Sequence, residues 1–384
     1  MTYKHLSSLT PDGQIYINDN MGTIEAMLPT GGYNSAHGPT MLELPNGDLL
    51  IAWFAGTFEG DADINIIVSR LPKGASKWEE PQLISNDPTR SDQNPSLFLS
   101  PEGEVWAMYT SQKARVPGIN NMQFTSQIRR QKSKDGGKTW EEFDTMFPEE
   151  GTFARQPIQI LSNGRWVYGN WICSSQNSLA GDPSAIKVSD DSGKTWKHVD
   201  IPNSVGRVHP TIVEIEDGHL IAFMRSRLAD FIYSSESFDF GDTWSEPKPT
   251  ELPNNNSSIS AIKLRSGRIA IAYNPMSALS TDGEGVNWPG LRCPVAVALS
   301  EDGGKTFPLI RNIELGEGFI GEENKTNNKQ YEYPFIMQAK DGSLHLAYAY
   351  KTRIGIKWVK FTEEDIIGSK RGEGIYNPTS GEIK

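Results

Sequence analysis

The run Ser133-Lys134-Asp135-Gly136-Gly137-Lys138-Thr139-Trp140 is an instance of the pattern S-x-D-x-G-x-T-W, and it returns along the chain. Ser189–Trp196 and Ser237–Trp244 repeat it, Ser300–Phe307 keeps the frame with Phe for Trp, and a worn copy lies between Ser69 and Trp78. In such a segment the Asp carboxylate accepts hydrogen bonds from the amides of its own turn, glycine supplies a positive φ, and the aromatic tucks beneath the hairpin. The segment is thus a self-contained β-turn plug. Its aromatics, at positions 78, 140, 196, 244 and 307, recur at intervals close to the length of a four-stranded blade.

A second repeat counts the blades independently. An apolar run, a polar-Gly turn and another apolar run recur at Asn46-Gly47, Glu102-Gly103, Asn163-Gly164, Asp217-Gly218, Ser266-Gly267 and Asp341-Gly342. These are hairpin signals between alternating strands. Six turns predict an all-β chain folded as a six-bladed β-propeller of four-stranded blades. The expected organisation is a single domain over residues 1–384, with blades from about 33 to 361. Strand 14–18 is expected to close the last blade and 362–384 to form a peripheral tail. Residues 275–289 are too long for a plain connection and read as a lid or rim.

A proline precedes the turn glycine by seven or eight residues in five blades: Pro39, Pro95, Pro157, Pro210 and Pro334. Proline is tolerated at the first residue of a strand, so each is expected to mark where an innermost strand begins. Those beginnings crowd around the central axis on one face, and the glycine turns and Asp motifs fall on the other. The axial face thereby collects His37, Asn94, Arg155, His209, Asn256 and Tyr333 from the strand beginnings. From the loops between second and third strands it collects Glu59, Asp61, Asp63, Arg115, Arg225, Arg227, Arg292 and Arg353.

The formal charge of −11 and pI near 5.2 argue against nucleic acid or an anionic membrane as partner. An acidic ligand therefore needs a local basic pocket. Two cysteines, Cys173 and Cys293, have neither a disulfide framework nor zinc spacing. The N-terminus lacks an apolar leader and no long apolar run follows, so the sequence as it stands reads as cytoplasmic; a trimmed signal peptide would make it secreted or periplasmic. No cofactor is called for, although the acids of Thr57–Asp63 could hold a calcium ion.

These Asp motifs, hairpins and arginines resemble the sialidase (neuraminidase) superfamily over nearly the whole chain. The resemblance implies a tyrosine nucleophile at Tyr333, an acid/base aspartate at Asp61 or Asp63, and carboxylate-binding arginines of which the second and third are Arg225 and Arg292. Two positions depart from the pattern: His37 stands where the family has its first arginine, and His209 where it has the glutamate that activates the tyrosine. Neighbouring Glu332 is another possible partner for Tyr333, although adjacent strand residues point to opposite faces.

Guanidinium forks pair bidentately with carboxylates, so arginines converging on one mouth imply a carboxylate-bearing ligand, an acidic oligosaccharide or glycoconjugate. The inventory suits hydrolysis of a terminal acidic sugar, with Tyr333 as nucleophile and His209 as base. It also suits β-elimination at a uronic acid, where arginines neutralise the carboxylate and a histidine removes the ring proton. A propeller that binds an acidic sugar without cleaving it is a third reading.

Overall fold

A computed structural model describes residues 4–5, 9–119, 122–174, 179–277, 286, 292–315, 331–368, 376–377 and 382–383. Most of the 275–289 segment lies outside the described residues, as does most of the chain beyond 368. Six antiparallel sheets of short strands form the blades of a propeller. Blade one runs Ser35–Glu43, Leu49–Gly56, Asn65–Leu71 and Gln82–Leu83, in that order from the axis outward. Blades two, four and five repeat this meander, and in blade three the innermost strand is split into Thr152–Ala154 and Gln159–Ile160.

The six turn glycines sit between first and second strands with φ from +77° to +91°, a region closed to most side chains. In the Asp motifs the expected turn chemistry is in place. Asp135 Oδ1 accepts from the amides of Lys138 and Thr139 at 3.0 and 2.9 Å, and Thr139 Oγ1 donates to Asp135 Oδ2 at 2.6 Å. These bonds hold the Asp135 carboxyl well below its usual range.

Each motif closes the gap to the preceding blade. Trp140, Trp196, Trp244 and Phe307 join the apolar clusters between blades one and two, two and three, three and four, and four and five. Between blades five and six the plug comes from a short helix, Glu363–Ile367, capped by Thr362 and Asp365, whose Ile366 is fully buried. Part of the expected peripheral tail is therefore core. Between blades six and one, Trp78 of the worn motif meets Trp358 edge-on at 5.6 Å.

The ring closes through the N-terminal segment, by a strand other than the expected one. Thr23–Met27 pairs with Gly355–Phe361 in blade six, and Tyr16–Asn18 pairs outside it. Thr23-Ile24-Glu25-Ala26-Met27 is a poor strand sequence by propensity, since Glu, Ala and Met favour helix. Tertiary pairing overrides it: the fully buried Glu25 meets Lys357 of the next strand at 2.9 Å.

The prolines also differ from expectation. Pro39, Pro95, Pro210 and Pro334 lie inside strands, each at a register shift, and Pro157 lies in the break of blade three. The residue ahead of each in-strand proline is left-handed: Gly38, Asn94, His209 and Tyr333 have φ of 61°, 47°, 59° and 56°. The bulge is the other place where a strand tolerates proline, because the missing N–H is not needed there. No described helix is long and apolar enough to cross a membrane.

Candidate active site

The left-handed bulges decide which side chains reach the axis. Alternation would send Glu332 and Tyr333 to opposite faces, yet the bulge at Pro334 turns both toward one cavity of about 360 Å³. Its lining includes Glu59, Glu332, Tyr333, Arg227, Arg292 and Arg353. The side wall is aromatic: Phe153 stacks on Trp171 at 5.0 Å, and Trp171 on His209 at 4.0 Å. Gln93, Asn94 and Gln123 supply amides.

Glu332, fully buried, organises the cationic side. Arg292 Nη1 donates to its Oε2, Arg353 Nε donates to its Oε1 at 2.7 Å, and His37 Nδ1 lies 3.7 Å from Oε1. Arg353 also donates to Glu59 Oε2 at 2.6 Å. Burial works against the Arg353 charge, but Glu332 and Glu59 outweigh it and hold the guanidinium above its ordinary value. Three consecutive left-handed residues, Lys351, Thr352 and Arg353, form the turn that delivers this arginine. Non-glycine residues in that region are strained, and such strain concentrates where function demands it.

Beneath the floor lies a second layer. Arg225 is fully buried and outside the cavity lining; its Nη1 donates to the Tyr333 hydroxyl at 2.7 Å, and its Nε and Nη2 donate to Asn256 Oδ1 at 3.0 and 2.6 Å. Burial is the main cause that brings Arg225 down to about 9, which leaves it charged at neutral pH. Arg155, also buried, donates to Ser258 Oγ at 2.8 Å and to the Tyr333 carbonyl at 2.9 Å. Its place is under Tyr333 rather than against a ligand.

His209 Nδ1 lies 3.1 Å from Ser258 Oγ, and its Nε2 lies 3.4 Å from Arg225 Nη1. Because the guanidinium can only donate, the tautomer that fits carries its proton on Nδ1 and leaves Nε2 as an acceptor. Burial, reinforced by Arg225, pushes the imidazole well below its usual value and keeps it neutral.

The structure thus brings together Tyr333, His209, Arg292, Arg353, Glu59 and Asn94 at the cavity. His37, Arg225, Arg155 and Asn256 stand directly behind it. Asp61 and Asp63 do not line it. Asp63 accepts from Thr57 N and Oγ1 at 3.0 and 2.9 Å within the loop, and Asp61 lies 3.7 Å from Arg115 Nε of blade two. Glu59 of the same loop reaches the cavity instead. Two residues were undervalued by sequence reasoning. Arg227 lines the cavity and pairs with Asp182 at 3.1 Å, and Glu332, offered as a partner for Tyr333 but turned away by strict alternation, lines it too. A Pro at position 334 inside an apolar run was the available sign that alternation fails there. Among the described residues no group of His, Cys, Asp and Glu could hold a metal ion.

A six-bladed propeller with Asp motifs and an arginine-lined axial cavity is the architecture of sialidase-superfamily proteins. Residues 47–346 match the BNR repeat-like domain, and the chain belongs to that family. It is 25% identical over 241 residues to "Anhydrosialidase" of Macrobdella decora, covering 58% of this chain and 29% of that protein, so it spans under a third of that relative's length. Two solved structures show the same fold at low identity. A Hadza microbial sialidase superposes with TM-score 0.68 at 17% identity, over 86% of this chain and 66% of that one. The intramolecular trans-sialidase from Ruminococcus gnavus superposes with TM-score 0.65 at 16% identity, over 94% and 99%.

Proposed function

We propose that this chain is a sialidase-type glycoside hydrolase that removes a terminal carboxylated sugar, with sialic acid the first candidate. The observation that supports this most is Tyr333: its phenol stands in a cavity that also presents Arg227, Arg292 and Arg353, and Arg225 donates to its oxygen from below. The substrate carboxylate binds the guanidiniums of Arg292 and Arg353. In doing so it displaces Glu59 from Arg353, and the freed carboxylate, no longer held by a cation, takes up a proton from solvent and gives it to the leaving oxygen. Tyr333 attacks the anomeric carbon, its proton passes to the unprotonated Nε2 of His209, and Arg225 steadies the charge that develops on the phenol oxygen. The sugar–tyrosine bond is then broken by water, or by a hydroxyl of the same sugar, the outcome suggested by the names of the Macrobdella and Ruminococcus proteins.

His209, neutral and unprotonated at Nε2, also favours a second reading: removal of the ring proton from a uronic acid once Arg225 releases Nε2, with Tyr333 as the acid. Sialyllactose and, separately, uronate oligosaccharides discriminate the two. Release of sialic acid or its anhydro form supports the first reading, and rising ultraviolet absorbance of an unsaturated uronate replaces it with the second. Binding without either product leaves the role of an acidic-sugar-binding propeller.

A further inference from the structure

The innermost strand of blade five, Ser260–Lys263, carries no proline, so its counterpart of His209 and Tyr333 has to be found from the bonding between blades. In blades one and four a hydroxyl of the innermost strand binds an amide of the next blade. Thr40 Oγ1 accepts from Leu97 N at 3.4 Å, and Thr211 Oγ1 accepts from Ala261 N at 3.2 Å. In blade five Ser260 makes that bond, its Oγ accepting from Ile336 N at 3.4 Å. Ser260 therefore holds the place of Thr40 and Thr211. Two residues earlier, Ser258 holds the place of Gly38 and His209, and Ile259 that of the proline.

Ser258 is fully buried and lies outside the cavity lining. Its Oγ meets groups from two other blades: Arg155 Nε donates to it at 2.8 Å, and His209 Nδ1 lies 3.1 Å away. The guanidinium can only donate, so it takes one of the two lone pairs of the serine oxygen. At the other end of the imidazole Arg225 Nη1, also a donor only, lies 3.4 Å from Nε2 and 2.7 Å from the Tyr333 hydroxyl. Were Ser258 to donate to Nδ1, the proton of the neutral ring would sit on Nε2 and oppose the Arg225 N–H. Ser258 therefore accepts from Nδ1–H with its second lone pair. Stacking on Trp171, with the ring planes 17° apart, holds the imidazole in that orientation.

We infer that Ser258 is a positioning residue: it holds the proton of His209 on Nδ1 and so keeps Nε2 unprotonated on the side of the Tyr333 hydroxyl. Arg155 serves the same end by fixing the serine oxygen as an acceptor. The inference rests on the reading that His209 Nε2 is the base, and it applies to either reaction proposed above.

The test reads the tautomer by nitrogen NMR on the full chain with isotopically labelled histidine side chains, because protonated and unprotonated ring nitrogens resonate far apart. His209→Gln identifies the His209 signals by their loss. The wild type should show a protonated Nδ1 and an unprotonated Nε2, and Ser258→Ala should move the proton to Nε2 or average the two nitrogens. On whichever of sialyllactose and uronate oligosaccharide the wild type cleaves, Ser258→Ala should lower kcat about tenfold, the cost of one buried hydrogen bond. KM should stay unchanged, since Ser258 lies behind the cavity. A proton on Nε2 in the wild type overturns the inference, and so does an unaltered kcat. A Ser258→Ala spectrum like that of the wild type also overturns it, as the result expected of a serine that only satisfies Arg155. If the alanine variant fails to fold, Ser258→Cys, close in size and a weak acceptor, replaces it. If the wild type cleaves neither substrate, the reading of the cavity fails, and the nitrogen spectra, which need no turnover, decide the role of Ser258 alone.

Discussion

The two faces of the propeller are built on opposite rules. On the turn face the same arrangement recurs, each Asp motif closing its hydrogen bonds within eight residues and inserting an aromatic into the gap beside it. On the axial face the residue ahead of each in-strand proline changes from blade to blade. The left-handed position ahead of proline is Gly38, Asn94, His209 and Tyr333 in turn. Repetition marks the scaffold, and its failure marks the chemistry.

Cavities alone would mislead here. One of about 400 Å³ opens on the turn face between blades one and six, where the worn motif around Pro72–Ala75 leaves the gap incompletely filled. Its charges are committed locally, Lys360 to Asp341 at 3.0 Å and Lys340 to the Leu44 carbonyl at 3.1 Å. The axial cavity differs in bringing a phenol, a neutral imidazole, two carboxylates and three guanidiniums together from separate blades.

The contrast can be broken at either face. The largest effect is expected at Tyr333→Phe, which should reduce turnover by several orders of magnitude without lowering the melting temperature. Retained turnover would remove tyrosine from the mechanism. Arg225→Ala comes next. Because Arg225 reaches the phenol and not the cavity, it should lower kcat by about a hundredfold with little change in KM. A rise in KM alone would place it against the substrate.

On the turn face the expectation is reversed. Asp239 accepts from Thr243 N at 2.9 Å and from Ser237 Oγ at 2.8 Å, so Asp239→Ala should cost about 1 kcal/mol of stability and leave kcat/KM unaltered. Calorimetry and kinetics on one preparation check both halves. The smallest effect concerns acid. His345, buried against Trp358, is pushed by burial from 6.5 to about 3. The unfolded chain therefore takes up this proton first as pH falls. Stability is full above about 6.5 and declines below it. His345→Gln should flatten the decline in melting temperature between neutral and mildly acidic pH, and an unchanged slope would assign the acid sensitivity elsewhere.

The scaffold was legible because its signals are local: a positive φ at Gly47 or Gly342, or a carboxylate bonded to its own turn at Asp135, needs no distant partner. The candidate site was legible as the residues ahead of the prolines together with the loops, although the prolines lie at bulges inside the strands and not at their beginnings. What sequence could not supply was depth. Arg225 and Arg227, two residues apart, divide into a support beneath the floor and a cavity-lining cation, which depends on ring packing. Glu332 joined Tyr333 because a bulge breaks strict alternation. Glu59 displaced Asp61 and Asp63 because the loop turns those two back onto Thr57 and Arg115. Thr23–Met27 was hidden by helix-favouring residues that only a buried lysine makes tolerable in a strand.

The measurement closest to the central claim is covalent trapping with a fluorinated sialoside that slows breakdown of a glycosyl–enzyme bond. Intact mass should rise by one sugar, and peptide mapping should place that sugar on Tyr333. A sugar mapped to another residue, or an unmodified protein that still turns over sialosides, would contradict the assignment of Tyr333 as the group that attacks the sugar.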